Sequence, residues 1–372
     1  MVVQLSSLDL HFLMSELNVL VGGKIDKIFQ SKETPTFLFS FHISNTGKKA
    51  LLVNLPSTLC LVDFKPEFPT TPPGFCSALR KKLTSARLTK ISQLDFQRVL
   101  LLEFSTKHGN AYLYIELFST GNIILVDENK KILSMYKTMA REEQLMKPGQ
   151  IYILPSSQIN TPNITENEFE TLIHSSNKES LVKTLAIDLS LGGTYSEEVL
   201  FNSKIDKNSS PKNTKEKEIK ILFKEIQKLL NSQIGPQIYS NNLISPIKLN
   251  HIKTTESKSN SFNETINELI NINFQNKLTD EENKDVKEKT TKLDKILKAQ
   301  KNQLENLDKT QLENQHKGEL IYSNYADIDK ILKQISSLKK HKTWKEIKEE
   351  LKSNKLFVSL NEHDGTLILD LK

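Results

Sequence analysis

KIDKIFQSKETPTFLFSFHISNTGKKALLVNLPSTLCLVDF, residues 24–64, decides the architecture of the N-terminal part. Four strand-like runs, KIDKIFQ, TFLFSFHI, KALLVNLP and TLCLVDF, are separated by short polar stretches. No helix-length segment lies between them, so the spacing predicts an antiparallel meander rather than βαβ units. Upstream, Leu8, Phe12, Leu13 and Leu17 share a helical face, with Ser6 or Ser7 as N-cap and Gly22-Gly23 as the stop. Downstream, Pro72-Pro73-Gly74 punctuates the chain, and FCSALRKKL reads as a short helix with Arg80, Lys81 and Lys82 on its polar side. A second series of strands follows in ISQLDFQRVLLLEF, NAYLYIELF, NIILVDE and KILSMYK. Residues 1–155 are therefore expected to form a two-sheet antiparallel β domain with two helices, within an α+β fold class.

Residues 156–250 read as a helical domain: ENEFETLIH, ESLVKTLAIDLSL, SEEVLFNSKI and IKILFKEIQKLLNSQI, the last ended by Gly235-Pro236. A polar linker is expected over 251–279 and one long helix over 280–342. Leu293, Leu297, Gln300, Leu304 and Leu307, then Ile321, Tyr325, Ile328, Leu332 and Ile335, recur in steps of four and three, and Gln311, Asn314 and Gly318 join the two runs as a heptad seam in one register. Such a seam needs a partner helix, and none is legible downstream. Residues 343–372 read as a small α/β tail, with TWKEIKEEL as a helix and KLFVSLNE and GTLILDLK as strands.

Composition narrows the function classes. No 18-residue apolar run occurs, and the start lacks a basic region followed by an apolar one, so neither a membrane span nor a signal peptide is expected and the chain reads as cytoplasmic. Cys60 and Cys76 are too few for a disulfide framework or a four-thiolate zinc site. The eight histidines are scattered, and neither a phosphate-binding glycine loop nor a GxSxG elbow occurs. No catalytic residue, metal or cofactor is expected. Glu103 and Glu116 alternate with apolar residues, as solvent-facing strand positions do.

The net charge of +6 is unevenly placed: residues 1–150 carry +5 and the remainder +1. Arg80, Lys81, Lys82, Arg87, Lys90 and Arg98 lie within nineteen residues, opposed only by Asp95. Such a cluster can hold a nucleic-acid backbone; a solvated helix face is the plainer use of the same charges. Only four arginines stand against 47 lysines. In so lysine-rich a chain an arginine suggests planar contact to phosphate, carboxylate or a base, or else a buried ion pair or packed stem. No aromatic-rich stacking surface is legible, which favours recognition of a folded RNA by shape and phosphate.

These stretches resemble the NFACT family of ribosome quality control factors. The likeness is carried by LSSLDLHFLMSELN with GGKIDKIFQ, TPPGFCSALRKKL with RLTKISQ, QRVLLLEF, LYIELFSTGNIILVDENKKIL, KPGQIYILP and LAIDLSLGGTYSEEVL. QHKGELIYSNYADIDKILKQI with TWKEIKEEL is similar to the archaeal and eukaryotic branch. The resemblance implies an N-terminal domain like the formamidopyrimidine-DNA glycosylase fold, a helix-hairpin-helix-like domain and a coiled-coil hairpin followed by a small RNA-binding domain. The sequence is expected to stop before the return helix and that domain. It also implies a factor without hydrolytic activity that binds the large ribosomal subunit bearing a stalled peptidyl-tRNA and recruits tRNA for template-independent tailing. The family's acid on the first helix matches Asp9. Its Asp-Arg pair matches Gln97-Arg98, so the arginine is kept and the acid is replaced. Arg98 is expected at the irregular start of a strand, reaching out beside Asp9. Two other readings stand beside this one: an interaction scaffold built on the coiled coil, and a DNA-processing enzyme. The second is disfavoured because such glycosylases begin with proline and glutamate, whereas this chain begins Met1-Val2-Val3.

Overall fold

A computed structural model describes residues 3–155, 159–239, 243–256 and 259–371, without the side chains of 254–256 and 273–289. They divide into two compact units, Met1–Lys277 and Leu278–Lys372. Helix α1, Ser7–Leu17, opens with a capping box. The Ser6 hydroxyl accepts from the Asp9 N–H at 3.1 Å, and the Asp9 carboxylate accepts from the Ser6 N–H at 2.7 Å. Gly22, at φ 87°, turns the chain out of this region, and a side chain on Gly23 would meet the Leu20 carbonyl oxygen at 2.9 Å.

Strands β1 (Lys24–Gln30), β2 (Thr36–Ile43), β3 (Gly47–Asn54) and β4 (Thr58–Val62) precede helix α2 (Gly74–Leu83). Strands β5 (Arg87–Gln93), β6 (Val99–Thr106), β7 (Gly109–Glu116), β8 (Asn122–Asp127) and β9 (Ile132–Met135) follow it. The two expected sheets are one: nine antiparallel strands in the order β4-β3-β2-β1-β5-β6-β7-β8-β9. The halves meet narrowly, since β1 and β5 are in register only at Lys24 and Arg87. Their apolar faces share one core, in which Phe37, Phe39, Leu51 and Val53 of the first half join Leu102, Phe104, Leu113 and Leu125 of the second. Each such side chain contributes about 2 kcal/mol by leaving water.

Ile25 still bonds the chain leading into β5, its N–H to the Ala86 carbonyl at 2.9 Å and its carbonyl to the Ser85 N–H at 3.0 Å; beyond it the outer edge of β1 has no strand beside it among the described residues, and α2 closes it. The Ile28 carbonyl accepts from Cys76 Sγ at 3.3 Å and from Arg80 Nε at 2.7 Å. The Cys76 N–H donates to Gln30 Oε1 at 3.1 Å. Cys60 and Cys76 are both free and buried.

Glu116 corrects a sequence reading. It faces inward, 1% exposed, and accepts two bonds from Arg141 Nη2, at 2.9 and 3.0 Å, and one from the Tyr152 hydroxyl at 2.7 Å. Alternation hides this, because the distant Arg141 and Tyr152 supply the donors that make burial of the charge tolerable. Arg141 belongs to the hairpin of β10 (Met139–Arg141) and β11 (Gln144–Met146), which this cluster ties to the sheet.

Helices α3 (Glu166–Ser175), α4 (Leu181–Ile187), α5 (Gly192–Ser203) and α6 (Glu216–Leu230) form a second core around Phe169, Leu185, Val199 and Leu222. Leu8 and Phe12 of α1 enter this core, whereas Leu10, Leu13 and Leu17 enter the sheet core. So α1 is buried on two sides rather than one. A small sheet follows, of β12 (Gln237–Tyr239), β13 (Ile244–Ser245) and β14 (Thr254–Glu256).

The linker expected over 251–279 is largely structured. Besides β14, it contains the start of α7 (Phe262–Ser323), whose Phe262 and Ile266 are fully buried in the sheet core. Asn263 clasps the edge of β4: its Oδ1 accepts from the Leu61 N–H at 2.6 Å and its Nδ2 donates to the Leu61 carbonyl at 3.1 Å. Glu16 of α1 accepts from the N–H groups of Phe262 (2.8 Å) and Asn263 (3.1 Å) and from the Ser261 hydroxyl. A carboxylate at a helix N-terminus satisfies orphan donors and complements the dipole.

In the second unit, Leu293, Leu297, Leu304 and Leu307 are exposed by 54–65%. The seam does not run on unbroken to Ile335. Asn324, at φ −104° and ψ 17°, separates α7 from α8 (Tyr325–Leu338). Ile331 and Ile335 then turn into a small core with Ile347 and Leu351 of α9 (Trp344–Leu351) and Leu360 of β15 (Phe357–Leu360), which pairs with β16 (Leu367–Leu369).

Two outcomes follow from these contacts. Glu16→Ala strips the α7 start of its acceptors and lowers stability by about 2 kcal/mol, read as a lower urea midpoint with new protease cleavage near residue 262. Arg80→Ala leaves the Ile28 carbonyl short of a donor and lowers the melting temperature, while Lys81→Ala and Lys82→Ala leave it within a degree or so of wild type. Equal melting of all three variants would contradict a structural role for Arg80.

Candidate nucleic-acid interface

The basic residues singled out in the sequence divide into two groups by where the fold points them. Arg80 is turned into the molecule: beyond its bond to Ile28, its guanidinium lies 5.4 Å from the centroid of the Phe29 ring. Lys90 pairs with Glu103 at 3.5 Å. Lys81, Lys82 and Arg87 are exposed, as are Lys24 and Lys27 of β1, and none of these five makes an ion pair among the described residues. Cys76, Leu79 and Leu83 face the core, which leaves Lys81 and Lys82 on the outer side of α2. Lys24 and Arg87 are direct neighbours across the β1–β5 junction. Five uncompensated cations thus surround the place where the two halves of the sheet meet.

ISQLDFQRVLLLEF is not one strand. It turns tightly after β5, closed by the Leu94 N–H to the Val99 carbonyl at 3.0 Å and the Gln97 N–H to the Leu94 carbonyl at 2.7 Å. Asp95 and Phe96 both have positive φ, 41° and 56°, a strained conformation costing about 1 kcal/mol or more for each non-glycine residue. Three contacts support it. Gln93 Nε2 donates to the carbonyls of Ser7 and Gln97, both at 2.8 Å, and the ring of Phe96 packs edge-on to His11 at 5.9 Å. The Leu117 N–H donates to the Arg98 carbonyl at 2.8 Å. Gln93 was not among the residues singled out, because a glutamine on a strand carries no sequence signal for bridging a helix to a turn.

Arg98 stands directly before β6, at the strand's irregular start. Its guanidinium is half-buried and forms no hydrogen bond or ion pair among the described residues. Burial pulls its pKa down, but a guanidinium stays charged at neutral pH. Gln97 is buried.

Asp9 does not join this surface. It is 5% exposed, with one oxygen on the Ser6 N–H and the other accepting from the Tyr195 hydroxyl, which also contacts Ser245 Oγ at 3.1 Å. Burial raises its pKa, against the lowering effect of those bonds. The expected mixed-charge pair of Asp9 and Arg98 is absent among the described residues. Both oxygens of this buried acid are engaged within the protein, capping its own helix and tying it to α5, rather than presented to a ligand.

The fold also builds what the sequence did not show, an aromatic surface beside the basic one. Phe29 and Phe68 stack at 5.4 Å with an interplanar angle of 23°, and Lys65 Nζ sits 4.1 Å over the Phe29 ring. Phe75 and Tyr136 pack at 5.7 Å nearby on Phe37. These rings are separated in sequence and meet only when the chain from β4 crosses to α2. Among the described residues, no group of three His, Cys, Asp or Glu could hold a metal ion. No described helix is long and apolar enough to cross a membrane.

The family model describing NFACT N-terminal and middle domains matches residues 6–365. An archaeal Rqc2 homolog, aRqcH, of Methanocaldococcus jannaschii is 28% identical over 99% of this chain and 58% of its own length. The ribosome quality control complex subunit 2 of Saccharomyces cerevisiae is 31% identical over 72% of this chain and 25% of its own. The N-terminal part of the fibronectin/fibrinogen-binding protein from Streptococcus suis superimposes with a TM-score of 0.59 at 22% identity, covering 73% of this chain and 100% of that one. The chain therefore spans little more than half of its archaeal relative. With the family model matched from the first helix to the final hairpin, the chain belongs to the NFACT family through its N-terminal and middle domains.

Proposed function

We propose that this chain is a ribosome-associated RNA-binding factor of ribosome quality control. It binds the large ribosomal subunit carrying a stalled peptidyl-tRNA and recruits a further tRNA, so that the nascent chain is extended without a template. The ribosome forms the peptide bond, and the chain contributes position and charge. The observation that carries this reading is the ring of uncompensated cations, Lys24, Lys27, Lys81, Lys82 and Arg87, around the β1–β5 junction. Cations without acidic partners on a rigid scaffold are suited to phosphate, which they bind while releasing counterions. The yeast relative is named as a ribosome quality control complex subunit, which supports this setting.

Arg98 is assigned the specific contact. A charged, half-buried guanidinium without an internal partner has already lost part of its hydration, so an incoming phosphate or base edge meets a planar donor fork held in place. Gln97 stands where the family acid was expected and is buried, so Arg98 carries the contact alone.

The exposed leucines of α7 favour a second reading, in which the chain also serves as a coiled-coil scaffold. Leu293, Leu297, Leu304 and Leu307 form an apolar stripe whose spacing suits a partner helix.

Co-sedimentation with large ribosomal subunits and fluorescence binding to tRNA test the main reading. Reversing charge at Lys81 and Lys82 together weakens binding to every RNA and flattens the dependence of log affinity on log salt by about 2. Arg98→Lys weakens tRNA binding about tenfold at unchanged melting temperature. Affinity indifferent to salt, or an Arg98→Lys effect confined to unfolding, overturns the assignment.

A further inference from the structure

We infer that the Phe29–Phe68 stack is a platform for one unpaired nucleobase of the bound RNA, flanked by the exposed Lys65 and Lys27 for the adjoining phosphate. The inference rests on the RNA-binding reading above and adds to it a site and a ligand chemistry.

The platform is preorganised. Phe68 lies on the segment between β4 and α2, residues 63–73, which leaves one edge of the first half-sheet and arrives at the other. Pro66, Pro69, Pro72 and Pro73 fix φ at four of its eleven positions, so little backbone freedom remains to be lost on binding. Phe64 and Phe68 anchor the segment on the sheet core while Phe68 stays partly exposed. Phe29 is held from below by its strand and by the Arg80 side chain.

Charge selects the ligand. Lys65 Nζ at 4.1 Å and the Arg80 guanidinium at 5.4 Å crowd the Phe29 ring, and exposed Lys27 is two residues away on β1. Asp63 is engaged with Lys49 at 3.8 Å, which leaves Glu67 as the one acid of the segment without an ion pair among the described residues. A cationic guest such as a methylated lysine would be repelled here. A planar group joined to an anion is attracted on both counts, since its ring extends the stack and its phosphate meets the cations. Nucleotides combine the two, and only an unpaired one can present its face. Lys81 and Lys82 continue the positive surface along the exposed side of α2.

The test uses a fluorescein-labelled RNA stem-loop, each loop nucleotide made abasic in turn, with binding to the full chain read by anisotropy at fixed salt. Wild type is expected to lose about tenfold in affinity at one abasic position. Phe68→Leu is expected to lose about tenfold with the intact RNA and nothing further with that abasic RNA, whereas Phe68→Tyr binds as wild type. Phe68→Leu binding as wild type, or losses that simply add, overturns the platform while leaving salt-sensitive RNA binding intact. A wild-type chain that does not bind the stem-loop overturns the RNA-binding reading itself, and the platform with it. Should Phe68→Leu fail to fold, photocrosslinking of wild type to a 5-iodouridine loop decides. Adducts on the peptide containing Phe68 or Phe29 support the platform, and adducts elsewhere alone refute it.

Discussion

Beyond Ile25, strand β1 has no strand beside it on its outer edge among the described residues, and the proposed binding surface follows from how that edge is closed. A buried carbonyl without a donor costs about 1–3 kcal/mol, so the Ile28 oxygen needs a partner that β5 does not supply. Helix α2 supplies two, Cys76 Sγ and Arg80 Nε. Seating α2 there fixes its rotation: Cys76, Leu79 and Leu83 must face the core, and Lys81 and Lys82 must face water. It also sets the path of the preceding segment, which has to cross the half-sheet to reach α2 and thereby brings Phe68 to Phe29. The placement of Lys81, Lys82 and the stacked rings thus follows from covering one open strand edge, a need general to sheets.

A second constraint acts through α1, which is a wall common to two cores. Because Leu8 and Phe12 face the helices while Leu10, Leu13 and Leu17 face the sheet, the first turn of the helix, with Ser7, Leu8, Asp9 and Leu10, is enclosed between the two cores. Asp9 is accordingly buried and spends its oxygens on Ser6 and Tyr195. The same helix holds the strained turn through Gln93 and through His11 against Phe96. That support is what lets Asp95 and Phe96 keep left-handed backbones, and it is why Arg98 stands outside the regular strand with its guanidinium unclaimed.

Periodicity made the strands, the capped helices and the long α7 legible, because each is decided within its own segment. The junction was not legible. Two sheets and one pinched sheet differ only in whether Lys24 and Arg87 pair, and nothing local to either residue records that. Glu116 was misread for the same reason: the alternation of β7 describes its face, while the donors that permit burial lie at Arg141 and Tyr152. The linker over 251–279 looked polar because Asn263 and Thr265 are polar, yet Asn263 serves as a clasp on β4 and Phe262 and Ile266 anchor the helix. Long-range satisfaction of polar groups was the missing information in every case.

The four arginines show how far residue type alone can carry a functional reading. Scarcity in a lysine-rich chain marks each as a place where a guanidinium does something an ammonium cannot. Arg141 uses it to grip Glu116 and the Ile153 carbonyl at once, and Arg80 uses it to bond Ile28 while lying against Phe29. Both are satisfied inside the protein, so their planar forks serve the fold. Arg87 is exposed beside Lys24, where like charges repel unless an external anion intervenes. Arg98 alone of the four is half-buried with no hydrogen bond or ion pair of its guanidinium among the described residues. A desolvated charge without an internal counterion raises the free energy of the unbound protein, and that cost falls when phosphate arrives. The distinction between structural and ligand-directed arginine therefore lies in whether the surrounding fold has already answered the charge.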